Sequence, residues 1–137
     1  MKIKIALAED HGVVRAGLRI LLSAEPDLEV VGEAADGHAV LAMVQRAAPH
    51  VLLLDLMLPG KGGLEITREV TTACPATRVL ILSMHAESAY VVEAIRHGAL
   101  GYVVKDCTGP ELVAAIHEVA AGRSFVSKPF AARTLES

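Results

Sequence analysis

Short apolar runs at 3–8, 28–34, 51–54, 78–82 and 100–104 are rich in Val, Leu and Ile, with few polar interruptions. Runs this short, bounded by turn formers, read as buried strands. Between the first two, Val14, Leu18, Leu21 and Leu22 recur on one helical face, with Arg15 and Arg19 on the other. Val40, Met43, Val44 and Ala47 repeat that spacing, and Pro49 stops the helix. A shorter, more polar helix is predicted over 64–74, with Glu65, Arg68 and Glu69 outward and Pro75 as terminator. A fourth, over 86–97, ends at Gly98, a residue suited to a C-cap. Its stretch Ala89, Tyr90, Val91 and Val92 is more apolar than one inward face requires, which leaves open thicker core packing or a signalling surface. The last helix, over 110–121, turns Leu112, Val113, Ile116 and Val119 inward, with Thr108 as N-cap.

Five βα units in succession, joined by right-handed crossovers, predict an α/β fold: a single doubly wound five-stranded parallel sheet with five helices on its two faces. The periodicity fails at 122–137, where Gly122, Ser124, Ser127 and Pro129 interrupt it. The folded domain is therefore expected to span 1–121 and the remainder to be a linker or tail. A final short helix around 130–135 is only weakly signalled.

Composition sharpens this picture. The 137 residues are 53% hydrophobic but 3% aromatic, so the core must be aliphatic, as suits parallel strands covered by helices. A formal net charge of -3 gives no global attraction to nucleic acid or to an anionic membrane. No apolar run approaches the ~20 residues of a membrane span, and the start lacks a signal peptide's apolar stretch. A cytoplasmic protein with no membrane contact is expected. Cys74 and Cys107 form no CxxC pair and read as reduced thiols. His11, His38, His50, His85, His97 and His117 show no zinc spacing and read as surface or loop residues. His85 is set apart by lying two residues beyond Ser83.

The candidate chemistry lies where strands should end: Glu9 and Asp10, then Asp55, Ser83 and Lys105. In an open parallel sheet the carboxyl ends of the strands form one rim, and ligands bind there. Asp55 alone could be a helix cap or a solvated loop residue, and a lone Ser or Lys says as little. Together they place acids, a hydroxyl and an ammonium on one rim. Clustered carboxylates repel one another unless a cation intervenes. Mg2+ fits an oxygen-only site of one or two carboxylates plus waters, and it serves phosphoryl transfer. Asp55 could then act as nucleophile toward an activated phosphoryl group, with Lys105 and Ser83 contacting phosphoryl oxygens. The glycine-rich loop at 59–63 is not a Walker A loop, because Lys61 is followed by Gly62 rather than Ser or Thr.

At this point the chain resembles the receiver domains of two-component response regulators, over about residues 3–121. Glu9-Asp10 matches the acidic metal-binding pair, and Asp55 the phosphorylated aspartate. Met57 matches the position whose backbone carbonyl contacts the metal, and Pro59 and Gly63 the loop that follows. Ser83 and Tyr102 match the switch pair, and Lys105 the phosphate-contacting lysine. Segments such as Glu9-Asp10-His11, Val30-Val31-Gly32-Glu33-Ala34 and Gly101-Tyr102-Val103-Val104-Lys105-Asp106 are similar to the branch that carries a LuxR-type (NarL/FixJ-like) helix-turn-helix output domain.

The resemblance implies a flavodoxin-like sheet of order 2-1-3-4-5. It also implies Mg2+ at Glu9, Asp10, Asp55 and the Met57 carbonyl, a sensor histidine kinase as phosphoryl donor, and dimerisation on phosphorylation. The kinase-docking surface would include the first helix near Val14 and Leu18. Phosphorylated Asp55 would draw Ser83 and Lys105 inward, with Tyr102 moving into the space beside Ser83. The output would be transcription control by a C-terminal DNA-binding domain; too little sequence follows Gly122 to hold one, so no nucleic-acid contact is expected from this chain.

Three departures stand out: Glu9 where the family usually has Asp, Lys61-Gly62 in a loop this pair should loosen, and Met84 beside Ser83, where it would narrow access. A haloacid-dehalogenase-type phosphatase shares the strand-end Asp but needs a second acid two residues on, where this chain has Met57. No enzyme is expected beyond self-catalysed phosphotransfer and dephosphorylation. The remaining alternative is a receiver-like binding module that works without phosphorylation.

Overall fold

The parallel ladder forms where aliphatic residues run unbroken, because strands covered on both faces tolerate no polar side. In the computed structural model, which describes residues 2–85 and 87–127, these strands alternate with helices. They are β1 (Ile3–Ala8), α1 (Gly12–Ser23), β2 (Leu28–Ala34), α2 (Val40–Ala47), β3 (Val51–Asp55), α3 (Gly63–Ala73), β4 (Arg78–Ser83), α4 (Ser88–Arg96), β5 (Gly101–Val104), α5 (Gly109–Ala120) and β6 (Phe125–Val126). All pairings are parallel, in the order β2-β1-β3-β4-β5-β6.

The predicted order 2-1-3-4-5 holds, and β6 extends it. The Phe125 N–H donates to the Leu100 carbonyl at 3.3 Å, and the Ser127 N–H to the Tyr102 carbonyl at 3.0 Å. The Val104 N–H in turn donates to Ser127 Oγ at 3.2 Å. The sheet therefore continues past the expected end of the folded part at 121. A two-residue strand is too short to show a period, which is why the sequence conceals it. The weakly signalled helix around 130–135 lies outside the described residues.

Side chains alternate across the sheet. Ala6, Ala8, Leu52, Leu54, Val79, Ile81 and Tyr102 face one core with residues of α2, α3 and α4. Ile5, Leu7, Val51, Leu53, Leu80, Leu82 and Val103 face the other, with Leu22 of α1 and the inner side of α5. Thr108 caps α5, its hydroxyl accepting from the Glu111 N–H at 3.2 Å. Gly98 follows α4 with φ +111, in the left-handed region, as its C-capping role requires.

Helix α1 departs from its predicted orientation. Leu22 is buried, but Val14 and Leu21, expected inward, are exposed, and Val13 and Ile20 stand out at 88% and 71%. The cause is electrostatic. Arg15 Nε meets Glu33 Oε1 of β2 at 3.0 Å, and Arg19 Nη1 meets Glu33 Oε2 at 2.7 Å. Arg15 Nη1 also donates to the Glu9 carbonyl at 2.7 Å. The two arginines are directed to the sheet edge, and part of the apolar stripe turns to solvent. In α4, Val91 is buried, Val92 half-buried and Tyr90 exposed, with Tyr90 stacked on His85 at 4.3 Å between ring centroids.

Candidate functional site

The acids, Ser83 and Lys105 sit at or just past the carboxyl ends of their strands, while Tyr102 lies within β5. Glu9 and Asp10 follow β1, Asp55 is the last residue of β3, Ser83 the last of β4, and Lys105 follows β5. Register brings them level. Asp55 lies opposite Leu82, Ser83 lies opposite Val104, and the Lys105 N–H donates to the Ser83 carbonyl at 2.8 Å.

The Lys105 ammonium bridges two acids. Nζ lies 3.1 Å from Asp55 Oδ2 and 3.2 Å from both Glu9 carboxylate oxygens. The Met57 N–H donates to Asp55 Oδ1 at 3.0 Å, so both Asp55 oxygens are engaged. Glu9, Asp55 and Ser83 are all buried. Two covered carboxylates share one lysine, and their titration is coupled. Burial and the neighbouring Asp55 push the Glu9 carboxyl above its usual range, against the pull of Lys105 and His11. Burial also pushes Asp55 upward, but hydrogen bonds with Glu9, the Met57 N–H and Lys105 outweigh it and hold Asp55 below its ordinary value. As pH falls, Glu9 therefore takes up a proton before Asp55 does. For Lys105, burial favours the neutral amine, yet Asp55 and Glu9 raise its pKa on balance.

Asp10 adds a third carboxylate with an orphaned atom. Among the described residues, its Oδ1 is the buried side-chain polar atom without a hydrogen bond. His11 Nδ1 approaches it to 3.2 Å without the alignment of a hydrogen bond. Ligand atoms of Glu9, Asp10, His11 and Asp55 all lie within 4.8 Å of one another. An excess of acid over base, with an unpartnered carboxylate oxygen, fits a divalent cation. Sequence reasoning missed His11, classed there with surface histidines. The signal was its adjacency to the acidic pair.

Ser83 and Tyr102 are already joined. The Ser83 Oγ accepts from the His85 N–H at 3.0 Å, and the Tyr102 hydroxyl donates to the His85 carbonyl at 3.0 Å. Burial raises the Tyr102 pKa, and its hydrogen bond with Ser83 works against that rise. Tyr102 is fully buried in this structure, its ring already beside Ser83. Its hydroxyl finds partners inside, which makes burial of the ring tolerable. Met84 projects outward at 73% exposure.

The loop after β3 is also tighter than expected. Lys61 Nζ pairs with Glu69 at 2.7 Å, and the Gly37 N–H donates to the Pro59 carbonyl at 2.8 Å. Gly37 lets the two loops approach; a Cβ there would stand 2.3 Å from the Lys61 carbonyl oxygen. The Lys61-Gly62 pair is thus held by partners that its own sequence does not reveal.

The response regulator receiver domain profile matches residues 5–117, most of the chain. The chain belongs to the receiver domain family. Its LuxR-type affinity is shown by a two-component response regulator of the LuxR family from Aurantimonas sp. SI85-9A1. That crystal structure superposes with a TM-score of 0.94 at 39% identity, covering 99% of this chain and 97% of the other. Among curated relatives, the DNA-binding transcriptional activator DevR/DosR of Mycobacterium tuberculosis is 44% identical over 130 residues, 95% of this chain and 60% of that protein. An uncharacterized transcriptional regulatory protein of Bacillus subtilis, YxjL, is 38% identical over 134 residues, 98% of this chain and 62% of its own length. The chain thus spans about six tenths of the curated relatives it matches. These relatives carry the names of regulators rather than of enzymes. Receiver domains generally bind Mg2+ at an acidic pocket, the kind of cluster that Glu9, Asp10 and Asp55 form here. No helix among the described residues is long and apolar enough to cross a membrane.

Proposed function

We propose that this receiver accepts a phosphoryl group on Asp55. The observation that carries the reading is a covered carboxylate kept ionised at the centre of an acidic cluster, one oxygen against Lys105 and the other on the Met57 N–H. An Asp55 carboxylate oxygen attacks phosphorus, the bond from phosphorus to the donor's leaving atom breaks, and the donor departs with that electron pair. Lys105 balances a phosphoryl oxygen's charge, and the Ser83 hydroxyl turns from the His85 N–H to donate to another. Glu9, Asp10, Asp55 and the Met57 carbonyl are the groups that would hold Mg2+, which when bound neutralises phosphoryl charge.

The donor is a sensor histidine kinase, docking on the outward apolar residues of α1. The Ser83–Tyr102–His85 hydrogen bonds carry the state of the site into the β4–α4 loop, and phosphorylation favours a homodimer. In the full-length protein a DNA-binding domain follows the receiver, with the segment after β6 as its connection, and the output is control of transcription. The regulators among the relatives, and their greater length, support this part of the reading.

The test is intact mass after incubation with acetyl phosphate, with and without Mg2+, on wild type and Asp55→Asn. A phosphoryl adduct that needs Mg2+ and disappears in the variant is the expected result. No adduct under any condition would overturn it in favour of a binding module that works without phosphorylation.

A further inference from the structure

The end of β6 is made by a side chain, and we propose that Ser127 is a latch, closed in this structure and opened when Asp55 is phosphorylated. The inference rests on the proposed phosphoacceptor reading and names where in the fold that event is felt. The Phe125 and Ser127 N–H groups donate to the carbonyls of Leu100 and Tyr102, as an evenly spaced parallel ladder requires. Continued in step, that ladder would send the Val104 N–H to the Ser127 carbonyl. It goes to Ser127 Oγ instead, at 3.2 Å. A side-chain oxygen thus replaces the backbone acceptor, and the ladder stops there. Ser127 is only 2% exposed, so this hydroxyl is the partner of Val104 rather than of solvent.

The latch and the acidic cluster hold the tip of β5 from opposite sides. In the order β3-β4-β5-β6, Asp55 ends β3, Ser83 ends β4 and Ser127 follows β6. Adjacent N–H groups face the two ways. That of Val104 turns out to Ser127, and that of Lys105 turns in to the Ser83 carbonyl at 2.8 Å. In the proposed reaction Ser83 and Lys105 both close on the phosphoryl group, and the inner bond moves with them toward β3. The outer bond is the longer of the two. It already stands at the upper limit for N–H···O, so about 0.4 Å of further separation ends it. A cavity of 140 Å3, lined by Val104, Ser127 and, around the start of α5, Cys107, Thr108 and Glu111, leaves the freed hydroxyl room to turn. The Ser127 N–H stays on the Tyr102 carbonyl at 3.0 Å, so the latch opens without β6 leaving the sheet.

The experiment follows amide exchange residue by residue, by NMR, in the whole chain with Mg2+, before and during incubation with acetyl phosphate. Intact mass reports the phosphoryl group in the same samples, and wild type is compared with Ser127→Ala and Ser127→Thr. In the wild type, exchange at Val104 is expected to rise about tenfold on phosphorylation, while that at Leu53 and Ser127 stays within about twofold. In Ser127→Ala, Val104 exchanges fast from the start, and phosphorylation adds less than about twofold. Ser127→Thr keeps the hydroxyl and restores both the protection and its loss. A serine that merely ended the strand would protect Val104 equally in both states. Unchanged exchange at Val104 in wild-type chain that mass shows to be phosphorylated therefore overturns the inference and leaves the phosphoacceptor reading standing. Lys105 then answers the phosphoryl group by side-chain movement alone. No adduct in any sample overturns that reading and the inference with it.

Discussion

Removing the lysine and removing an acid should have very unequal consequences at this site. Lys105 Nζ meets Asp55 Oδ2 at 3.1 Å and both Glu9 oxygens at 3.2 Å, so Lys105→Met leaves two covered carboxylates facing each other with no ammonium between them. Breaking a fully buried ion pair from one side costs roughly 3–5 kcal/mol. The cluster lies at the rim of the sheet, where solvent screens part of the field, and one carboxyl can take up a proton. Both effects lower the expected loss to about 2–3 kcal/mol at pH 7 in EDTA. Glu9→Gln instead leaves a balanced Lys105–Asp55 pair, with an amide oxygen for Lys105 and an amide N–H for Asp55. Its expected cost is below about 0.5 kcal/mol, the scale of a neutral substitution.

The pH dependence separates the two further. Glu9 has a folded-state pKa raised by burial and by Asp55, so the stability it contributes is complete below its unfolded value. That stability is lost as pH rises through the raised folded value. Without divalent cations, the wild type should therefore weaken from acid toward neutral pH at this group, and Glu9→Gln should remove that slope. Urea unfolding across this range supplies the assay. With a slope of about 1–3 kcal/mol per molar urea, the lysine variant's midpoint should fall by about 0.7–3 M. A Glu9→Gln variant that loses as much as Lys105→Met at neutral pH would refute the reasoning, because the site would then be a compensated ion triad rather than an excess of acid.

Gly37→Ala should destabilise by about 1–3 kcal/mol, since its Cβ would lie 2.3 Å from the Lys61 carbonyl oxygen and the loop backbone must move. Thermal unfolding checks this, and a wild-type midpoint would mean that the two loops are not mutually braced. Tyr102→Phe removes the donor to the His85 carbonyl and should cost about 1 kcal/mol, with faster amide exchange in the β4–α4 loop. Unchanged exchange there would detach Tyr102 from the loop. Ser127→Ala leaves the Val104 N–H without its side-chain acceptor and should cost about 1 kcal/mol, with faster exchange at Val104. Exchange at the wild-type rate would show that β6 does not protect the β5 edge.

The parts of this fold that were legible in sequence are those set by side-chain periodicity. Aliphatic runs gave the bounds of β1 and β2 in full, and Thr108 and Gly98 marked helix ends because capping uses particular residue types. The placement of Glu9, Asp55, Ser83 and Lys105 on one rim followed from strands that all run the same way. What stayed hidden depends on partners distant in sequence. The rotation of α1 is set by Glu33 on β2, and the tightness of the β3–α3 loop by Gly37 and Glu69. The inward Tyr102 depends on a carbonyl in another loop. Periodicity reads one segment at a time and carries no record of such pairings.

Those distant pairings converge on the tip of β5. Within four residues, Tyr102 binds the β4–α4 loop through its hydroxyl, Val104 holds Ser127, and Lys105 holds Asp55 and Glu9. Tyr102 also accepts the Ser127 N–H at its carbonyl, at 3.0 Å, so β6 grips the same segment from outside. Parallel strands make this convergence mechanically significant, because evenly spaced ladder bonds tie the tip to both neighbours at once. A change in charge on Asp55 acts on Lys105 directly, and the Lys105 backbone N–H, held by the Ser83 carbonyl at 2.8 Å, stands next to the residue whose N–H holds Ser127. Residues 102–105 thus hold the acidic cluster on one side and Ser127, just after β6, on the other.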